Sequence, residues 1–335
     1  MKVVIDMPRF SPLVEQLLDV AGVETEFVEE PSEKSRDLPE ELIQDCEVLF
    51  CTSPPSNHAM MKKLKLIQIS SAGYNQLVGQ GFEKRGTKAC NALGVFDVPI
   101  AEWNIAMMIN LTRDLRGLIH NQDAKIWDRS SRFQREIRGS VVGILGYGGI
   151  GRETARIAKS MGMEVHVMSR SSISPRVNTY RVSGTGDGEG NLPDMVFNLN
   201  QKEDFFKGLD FLVLGIPQTA VTVGIIGESE LKMLPPHAFL LNPARGPLVQ
   251  EHALLKALDR GWISGAALDT HYHYPMPADH PLWTMPNVIL TPHISGSSAS
   301  NRFLERTWDI FIQNIKRFQN GKPLLNELTV QQLSG

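Results

Sequence analysis

The stretch SVVGILGYGGIGRETARIAKSMG, residues 140–162, constrains this chain more than any other. An apolar run leads into a glycine loop, and a helical pattern follows, closed by Gly162. Gly146, Gly148 and Gly151 carry the GxGxxG spacing. The spacing alone is a weak signal, but here it follows a strand and opens a helix, which is the context it requires. Gly146 permits a tight turn, Gly148 lets a pyrophosphate approach the backbone, and Gly151 lets helix and strand pack closely. The free N–H groups at the helix N-terminus then face the phosphates. A merely structural glycine turn is the competing reading. Dinucleotide binding is the expectation, with Gly146, Tyr147, Gly148, Gly149, Ile150 and Gly151 forming the loop.

The next strand, MEVHVMSR, bears on which dinucleotide. An acidic residue at its end would accept hydrogen bonds from an adenosine ribose. Ser169, Arg170, Ser171 and Ser172 stand there instead. Arg170 is suited to a 2′-phosphate, and the serine hydroxyls can donate to it. NADP(H) is therefore expected ahead of NAD(H). Alternatively, Arg170 is a solvated surface arginine.

Strand and helix signals alternate on both sides of the loop. Before it, KVVID reads as a strand, SPLVEQLLDVAG as a helix closed by Gly22, and VETEFVEE, CEVLFCTS and LKLIQISSAG as further strands. That order argues a small parallel sheet. PIAEWNIAMMINLTRDLRGLIHNQ reads as one long helix and a boundary between domains. After the loop, FLVLGIP, AFLLNP, GAALD and VILTPH are strands of a second, larger α/β domain. Residues 175–202 break the pattern: GTGDGEG, at 184–190, opposes either regular element and reads as a mobile surface excursion. The last helix, near residues 298–319, has Ile310, Phe311, Ile315 and Phe318 along one stripe and is expected to pack back on the first domain. The expected domains are 1–100 with 298–335, and 101–297.

Bulk properties exclude several classes. The 335 residues carry a formal net charge of −3, so no basic field advertises nucleic acid or an anionic membrane. Cys46, Cys51 and Cys90 form an odd set without paired spacing and read as reduced, buried thiols of a cytosolic protein. No run is long enough to span a bilayer, and the N-terminus lacks the apolar core of a signal peptide. A soluble cytoplasmic protein is expected.

Two strand ends carry candidate chemistry. AFLLNPARG places Asn242, Arg245 and Gly246 just past a buried strand, where functional groups collect in open sheets. Arg245 either grips a small carboxylate with its planar donor fork or ties the two domains together. VILTPHISG places His293 at a similar strand end, either as a proton donor near neutral pH or as a structural histidine. Between them lies ALDTHYHYPMP, with His271 and His273 two apart, sharing a face if the segment is extended. With His280 they offer nitrogen ligands, but no thiolate pair or clear further ligand accompanies them, and no metal is expected. Loop packing and tuning of a substrate pocket are the two other readings.

Taken in order, SAGYN at 71–75, GYGGIG at 146–151, NPARG at 242–246, ALD at 267–269 and PLWTMPNVILTPHISG at 281–296 resemble the D-isomer-specific 2-hydroxyacid dehydrogenase family, glyoxylate/hydroxypyruvate reductases included. The resemblance covers essentially the whole chain. It implies two Rossmann-like domains, each a parallel sheet flanked by helices, with an active-site cleft between them. It implies reduction of a small or medium 2-oxo acid to the D-2-hydroxy acid by NADP(H) or NAD(H), with the reverse oxidation open, and a homodimer formed through the nucleotide-binding domains. By motif match Arg245 would bind and polarise the substrate and His293 would protonate the developing alkoxide. Ala72, Gly73 and Tyr74 would cradle the carboxylate. Pro217 and Asp269 would join the cofactor site, and Trp127 or Trp283 would shape the pocket.

One position departs from the family's pattern. A glutamate paired with the histidine normally follows the aspartate by five positions and precedes proline. Here Asp269 leads to Tyr274 and Pro275. Tyrosine can orient His293 through its hydroxyl but offers no anion at neutral pH, so the histidinium should be less favoured. The expected consequences are weaker activity, a lower pH optimum or an altered substrate. A regulatory or scaffold protein that kept the fold is the alternative.

Overall fold

A computed structural model describes residues 1–130 and 134–334. In chain order the strands are β1 (Lys2–Asp6), β2 (Glu24–Phe27), β3 (Val48–Cys51), β4 (Leu66–Ile69), β5 (Lys88–Cys90), β6 (Val141–Leu145), β7 (Glu164–Met168), β8 (Met195–Phe197), β9 (Phe211–Leu214), β10 (Phe239–Asn242), β11 (Gly265–Leu268) and β12 (Val288–Leu290). The helices are α1 (Ser11–Leu18), α2 (Glu40–Ile43), α3 (Asp97–Thr112), α4 (Leu115–Asp123), α5 (Gly149–Ser160), α6 (Lys202–Phe206), α7 (Glu228–Met233), α8 (Glu251–Asp259), α9 (Asn301–Gln319) and α10 (Val330–Ser334). The chain divides into two compact units. One is Met1–Phe96 with Val177–Val182 and Ser298–Gly335, and the other is Asp97–Arg176 with Ser183–Ser297.

The first unit is built on a five-stranded sheet in the order β2-β1-β3-β4-β5, with every pair parallel. Of its three inner strands, β3 and β4 are buried throughout and β1 at all but its first residue, as a sheet covered on both faces requires. Helix α9 returns to this sheet. Its Trp308 and Phe311 meet Phe50 of β3 at ring centroid distances of 5.3 and 4.3 Å. The Trp308 indole N–H reaches the Pro8 carbonyl at 2.9 Å, so the large ring is buried with its one donor satisfied. All three cysteines are free and buried here, and desolvation pushes the Cys46 thiol up to about 12, far from reactive thiolate.

The second unit carries a seven-stranded sheet in the order β12-β11-β10-β9-β6-β7-β8, again with parallel pairing throughout. Strand order reverses between β6 and β9, so a crevice opens beyond their carboxyl ends. The single long helix expected before the loop is two helices. Asp114 sits at φ 46° between α3 and α4, and its carboxylate caps α4 at the Gly117 N–H, 3.2 Å away. A local side-chain acceptor thus outcompetes continuation of the helix.

The expected mobile excursion is also corrected. Asp187 is buried and accepts hydrogen bonds from the Gly190, Asn191 and Leu192 amides at 2.9–3.1 Å and from the Tyr147 hydroxyl at 2.7 Å. Buried Arg152 donates to the carbonyls of Tyr147, Asp187 and Ser174. Glu153 of α5 accepts from the Gly186 amide. Side chains therefore satisfy the backbone that glycines leave without a ladder, and the chain then enters β8 beside β7. Tyr180, in the same stretch, is buried in the first unit and donates to Asp309 at 2.9 Å.

Candidate active site

The glycine loop shows why each glycine stands where it does. Gly146 has φ 94°, and a Cβ there would meet Ile216 at 2.5 Å and the Gly215 carbonyl at 2.9 Å. The loop after β6 therefore lies directly against the segment after β9 that holds Pro217. A Cβ on Gly151 would meet the Gly146 carbonyl oxygen at 2.6 Å, so α5 can approach β6 only with glycine there. At Gly149 a Cβ would collide with the Asp97 carboxylate from the start of α3, a neighbour nothing in the local sequence announces. Gly148 has open space on its Cβ side. Closed packing at Gly146 and Gly151 and a bare face at Gly148, at the N-terminus of a twelve-residue helix, fit a diphosphate. Tyr147 does not turn its hydroxyl to this space, since Asp187 holds it, and burial raises its pKa. Ser169, Arg170 and Ser171 follow β7. Arg170 is exposed and, among the described residues, makes no hydrogen bond or ion pair.

Asp269, at the end of β11, is fully buried. Its carboxylate accepts from the Thr291 hydroxyl at 2.6 Å, the Ile294 amide at 2.9 Å, the Ser295 amide at 3.0 Å and the Ser295 hydroxyl at 2.5 Å. These four donors flank His293 on both sides. His293 itself has φ 59°, a left-handed conformation that costs a non-glycine residue about 1 kcal/mol. Such a residue persists where its surroundings over-determine it. The hydroxyl residues around His293 were the sequence signal for this clamp, and it was not drawn from them.

Arg245 is exposed beyond β10. Buried Asn242 accepts from the amides of Ala244 and Arg245 and donates to the Arg245 carbonyl at 2.8 Å, so one amide side chain fixes the whole turn. The Arg245 guanidinium lies close enough to His293 to act on its charge. The pKa of His293 is lowered, first by desolvation, then by Arg245, while Asp269 opposes and His271 adds to the lowering. The tyrosine in the glutamate position is 59 % exposed. Its ring faces His293 at 5.7 Å between centroids and an angle of 56°, and its hydroxyl accepts from the His271 amide at 3.2 Å.

His271 and His273 do not share a face. The chain bends after β11, leaving His271 buried and His273 exposed. His280 bonds Glu251 at 2.6 Å, and no group of three or more His, Cys, Asp or Glu among the described residues could hold a metal ion. Trp283 donates to the Pro277 carbonyl at 2.9 Å, and Trp127 is 89 % exposed beyond α4. Ala72, Gly73 and Tyr74 belong to the first unit. There Ser71 and Asn91 hold the carbonyls of Gly73 and Ala72, each at 2.7 Å. Among the described residues, none accepts from the amides of Ala72, Gly73 or Tyr74.

The chain is similar to known proteins along most of its length. Residues 105–295 match the profile of the D-isomer specific 2-hydroxyacid dehydrogenase NAD binding domain. A glyoxylate reductase of Thermofilum pendens is 30% identical over 283 residues, covering 80% of this chain and 79% of that protein. A putative 2-hydroxyacid dehydrogenase of Haemophilus influenzae is 32% identical over 250 residues, covering 72% of this chain and 73% of its own. The crystal structure of a D-isomer specific 2-hydroxyacid dehydrogenase family protein from Aeromonas salmonicida superposes with a TM-score of 0.77, at 26% identity and 98% coverage of both chains. The chain belongs to the D-isomer specific 2-hydroxyacid dehydrogenases and is an NAD(P)-dependent oxidoreductase of 2-oxo and 2-hydroxy acids.

Proposed function

We propose that this protein is an NADPH-preferring reductase that converts a small or medium 2-oxo acid into the D-2-hydroxy acid and can run the reverse oxidation. The observation that carries the reading is that Arg245 and His293 follow β10 and β12, the two strands on either side of β11, with the Arg245 turn fixed by Asn242 and the His293 turn by Asp269. The bound nicotinamide supplies the hydride. Arg245 offers two parallel donors to the substrate and draws charge toward its carbonyl oxygen. His293, in its charged form, gives a proton to that oxygen as it becomes an alkoxide. The free amides of Ala72, Gly73 and Tyr74 are assigned to the substrate carboxylate. The unpaired Arg170 with Ser169 and Ser171 is assigned to a 2′-phosphate, while Pro217 and Asp269 are assigned to the nicotinamide end. NADH remains the second cofactor.

A homodimer belongs to the same reading. Leu115, Leu118 and Ile119 of α4, with Ile126 and Trp127 beyond it, leave apolar surface exposed in the nucleotide-binding unit. No helix among the described residues is long and apolar enough to cross a membrane.

The decisive experiment follows NADPH and NADH oxidation against glyoxylate, hydroxypyruvate, pyruvate and bulkier 2-oxo acids. NADPH-linked turnover is expected, with Arg245→Ala raising KM and His293→Ala lowering kcat. Cofactor binding without turnover of any 2-oxo acid would overturn the reading in favour of a regulatory role. Equal or tighter binding of NADH would overturn the cofactor assignment.

A further inference from the structure

We infer that His271 is the positioning residue that holds His293 in its proton-donating geometry, through the Nε2–H bond it makes to the Thr291 carbonyl. This rests on the reading of His293 as proton donor. It concerns a side chain to which the mechanism above gives no part.

Three contacts meet at His271. Its Nε2 lies 2.8 Å from the Thr291 carbonyl oxygen. A carbonyl only accepts, so the ring proton sits on Nε2. The same carbonyl accepts the His293 amide at 3.0 Å, closing a three-residue turn over Pro292. His271 therefore braces the very carbonyl that bends the chain into the left-handed residue His293. Its backbone amide donates to the Tyr274 hydroxyl, whose ring centre lies 6.2 Å from the His271 imidazole and 5.7 Å from that of His293. Its backbone carbonyl fills the space where a Cβ of Gly246 would lie, 2.5 Å away, so it also packs under the residue after Arg245.

The side chain is built in rather than draped over the loop. His271 is 8 % exposed, and its Nδ1 is buried without a hydrogen-bond partner among the described residues. A buried acceptor left empty costs free energy. What the imidazole gives in return is its one bond, which reaches the His293 turn from the β11 side. Asp269 reaches that turn through the flanking amides and hydroxyls but leaves the Thr291 carbonyl to His271. With no carboxylate at position 274 to hold the His293 ring, backbone bracing is what fixes the ring's origin.

Glutamine places an amide N–H near the reach of Nε2, while asparagine places one near Nδ1, short of Thr291. The test compares His271→Gln, His271→Asn and His271→Phe in the full-length protein with NADPH and the best 2-oxo acid of the panel. His271→Asn and His271→Phe should lower kcat by about 10-fold or more, because small misplacements of a reacting group cost that much. KM for the acid and the dissociation constant of NADPH should stay within about 3-fold, since neither Arg245 nor the glycine loop depends on the Nε2 bond. His271→Gln should recover most of kcat. Wild-type kcat in His271→Asn, or equal impairment of the glutamine and asparagine variants, would overturn the inference. Should the phenylalanine variant not fold, the glutamine and asparagine pair decides alone. Crystal structures of that pair give a readout independent of turnover: His293 should leave its left-handed conformation in the asparagine variant and keep it in the glutamine variant. A wild-type protein inert toward every acid sinks the proposed reaction, and the two crystal structures then still support or overturn the positioning role.

Discussion

Tyr274→Glu restores a carboxylate beside His293 and moves the pH dependence in a calculable direction. The tyrosine ring centre lies 5.7 Å from the imidazole centre, and a glutamate side chain brings its charge to a similar distance. At about 5 Å two unit charges interact by about 3 kcal/mol at an effective dielectric of ~20 and about 1 kcal/mol in bulk water. Tyr274 is more than half exposed, so the lower part of that range applies, about 1.4 kcal/mol or one pKa unit. The sign is upward, because an anion favours the charged imidazole. It acts on a His293 whose pKa is now lowered by desolvation and by Arg245.

Reduction requires the protonated imidazole, so its rate falls as pH rises through the His293 pKa. The alkaline limb of kcat/KM for reduction should therefore move up by about one pH unit in Tyr274→Glu, giving about a tenfold gain above the wild-type limb. Oxidation requires the neutral imidazole, so its acid limb should move up by the same amount. Steady-state rates across pH 5 to about 9, at fixed ionic strength, measure both limbs. Limbs that coincide with wild type, in a variant that still binds NADPH, would show that position 274 lies outside the proton-transfer machinery. Limbs that move apart would show that a second group titrates.

Three further outcomes follow from other parts of the structure. Arg170→Ala should weaken NADPH by about 10- to 100-fold, the worth of lost charge-assisted hydrogen bonds, and leave NADH unchanged by calorimetry. Gly151→Ala drives a Cβ to 2.6 Å from a backbone oxygen, so α5 must lift from β6. It should cost about 1–3 kcal/mol in urea melts and weaken both cofactors alike. Asp187→Asn should destabilise by about 2 kcal/mol at pH 7, since the carboxylate accepts four hydrogen bonds. Desolvation works against the Asp187 charge, but the Leu192 amide, the Tyr147 hydroxyl and the other two amides hold its pKa below the ordinary value. Its contribution is thus present above the unfolded carboxylate pKa and lost as pH falls through the folded one. The gap between the proteins should close in melts near pH 3 or below, about where such carboxylates protonate.

The alternation of β and α signals, the glycine loop and the strand ends at Asn242 and His293 were legible because each depends on neighbours within a few residues. Apolar runs such as FLVL and FLLN are parallel strands covered on both faces, and sequence shows that directly. What failed to show depends on partners far along the chain. The break at Asp114 is a side-chain cap inside a run with good helical period. The GTGDGEG segment lacks every local signal of order, yet Asp187 gathers amides after it and a hydroxyl from residue 147. Asp97 lies 52 positions before Gly149 and explains why that position bears no side chain.

The same distinction separates the two halves of the candidate site. Arg245 and His293 stand out at strand ends, but each also has a structural reading, and it is the order of motifs along the chain that singles them out. His271 does not stand out, because a histidine two positions past a buried strand reads equally well as packing. Sequence places it beside His273, and side-chain alternation would point both rings the same way. The bend after β11 separates them and aims one at Thr291. The substitution at position 274 then acquires a structural companion. A glutamate could hold the His293 ring by charge, whereas a tyrosine donates no charge and takes its own hydrogen bond from the His271 amide. Where the family pattern implies an ionic tether at the ring, this chain has an imidazole beside the backbone beneath it. Replacing Tyr274 alone therefore tests the charge, replacing His271 alone tests the brace, and in the double variant the two effects should add only if each acts on a different part of His293.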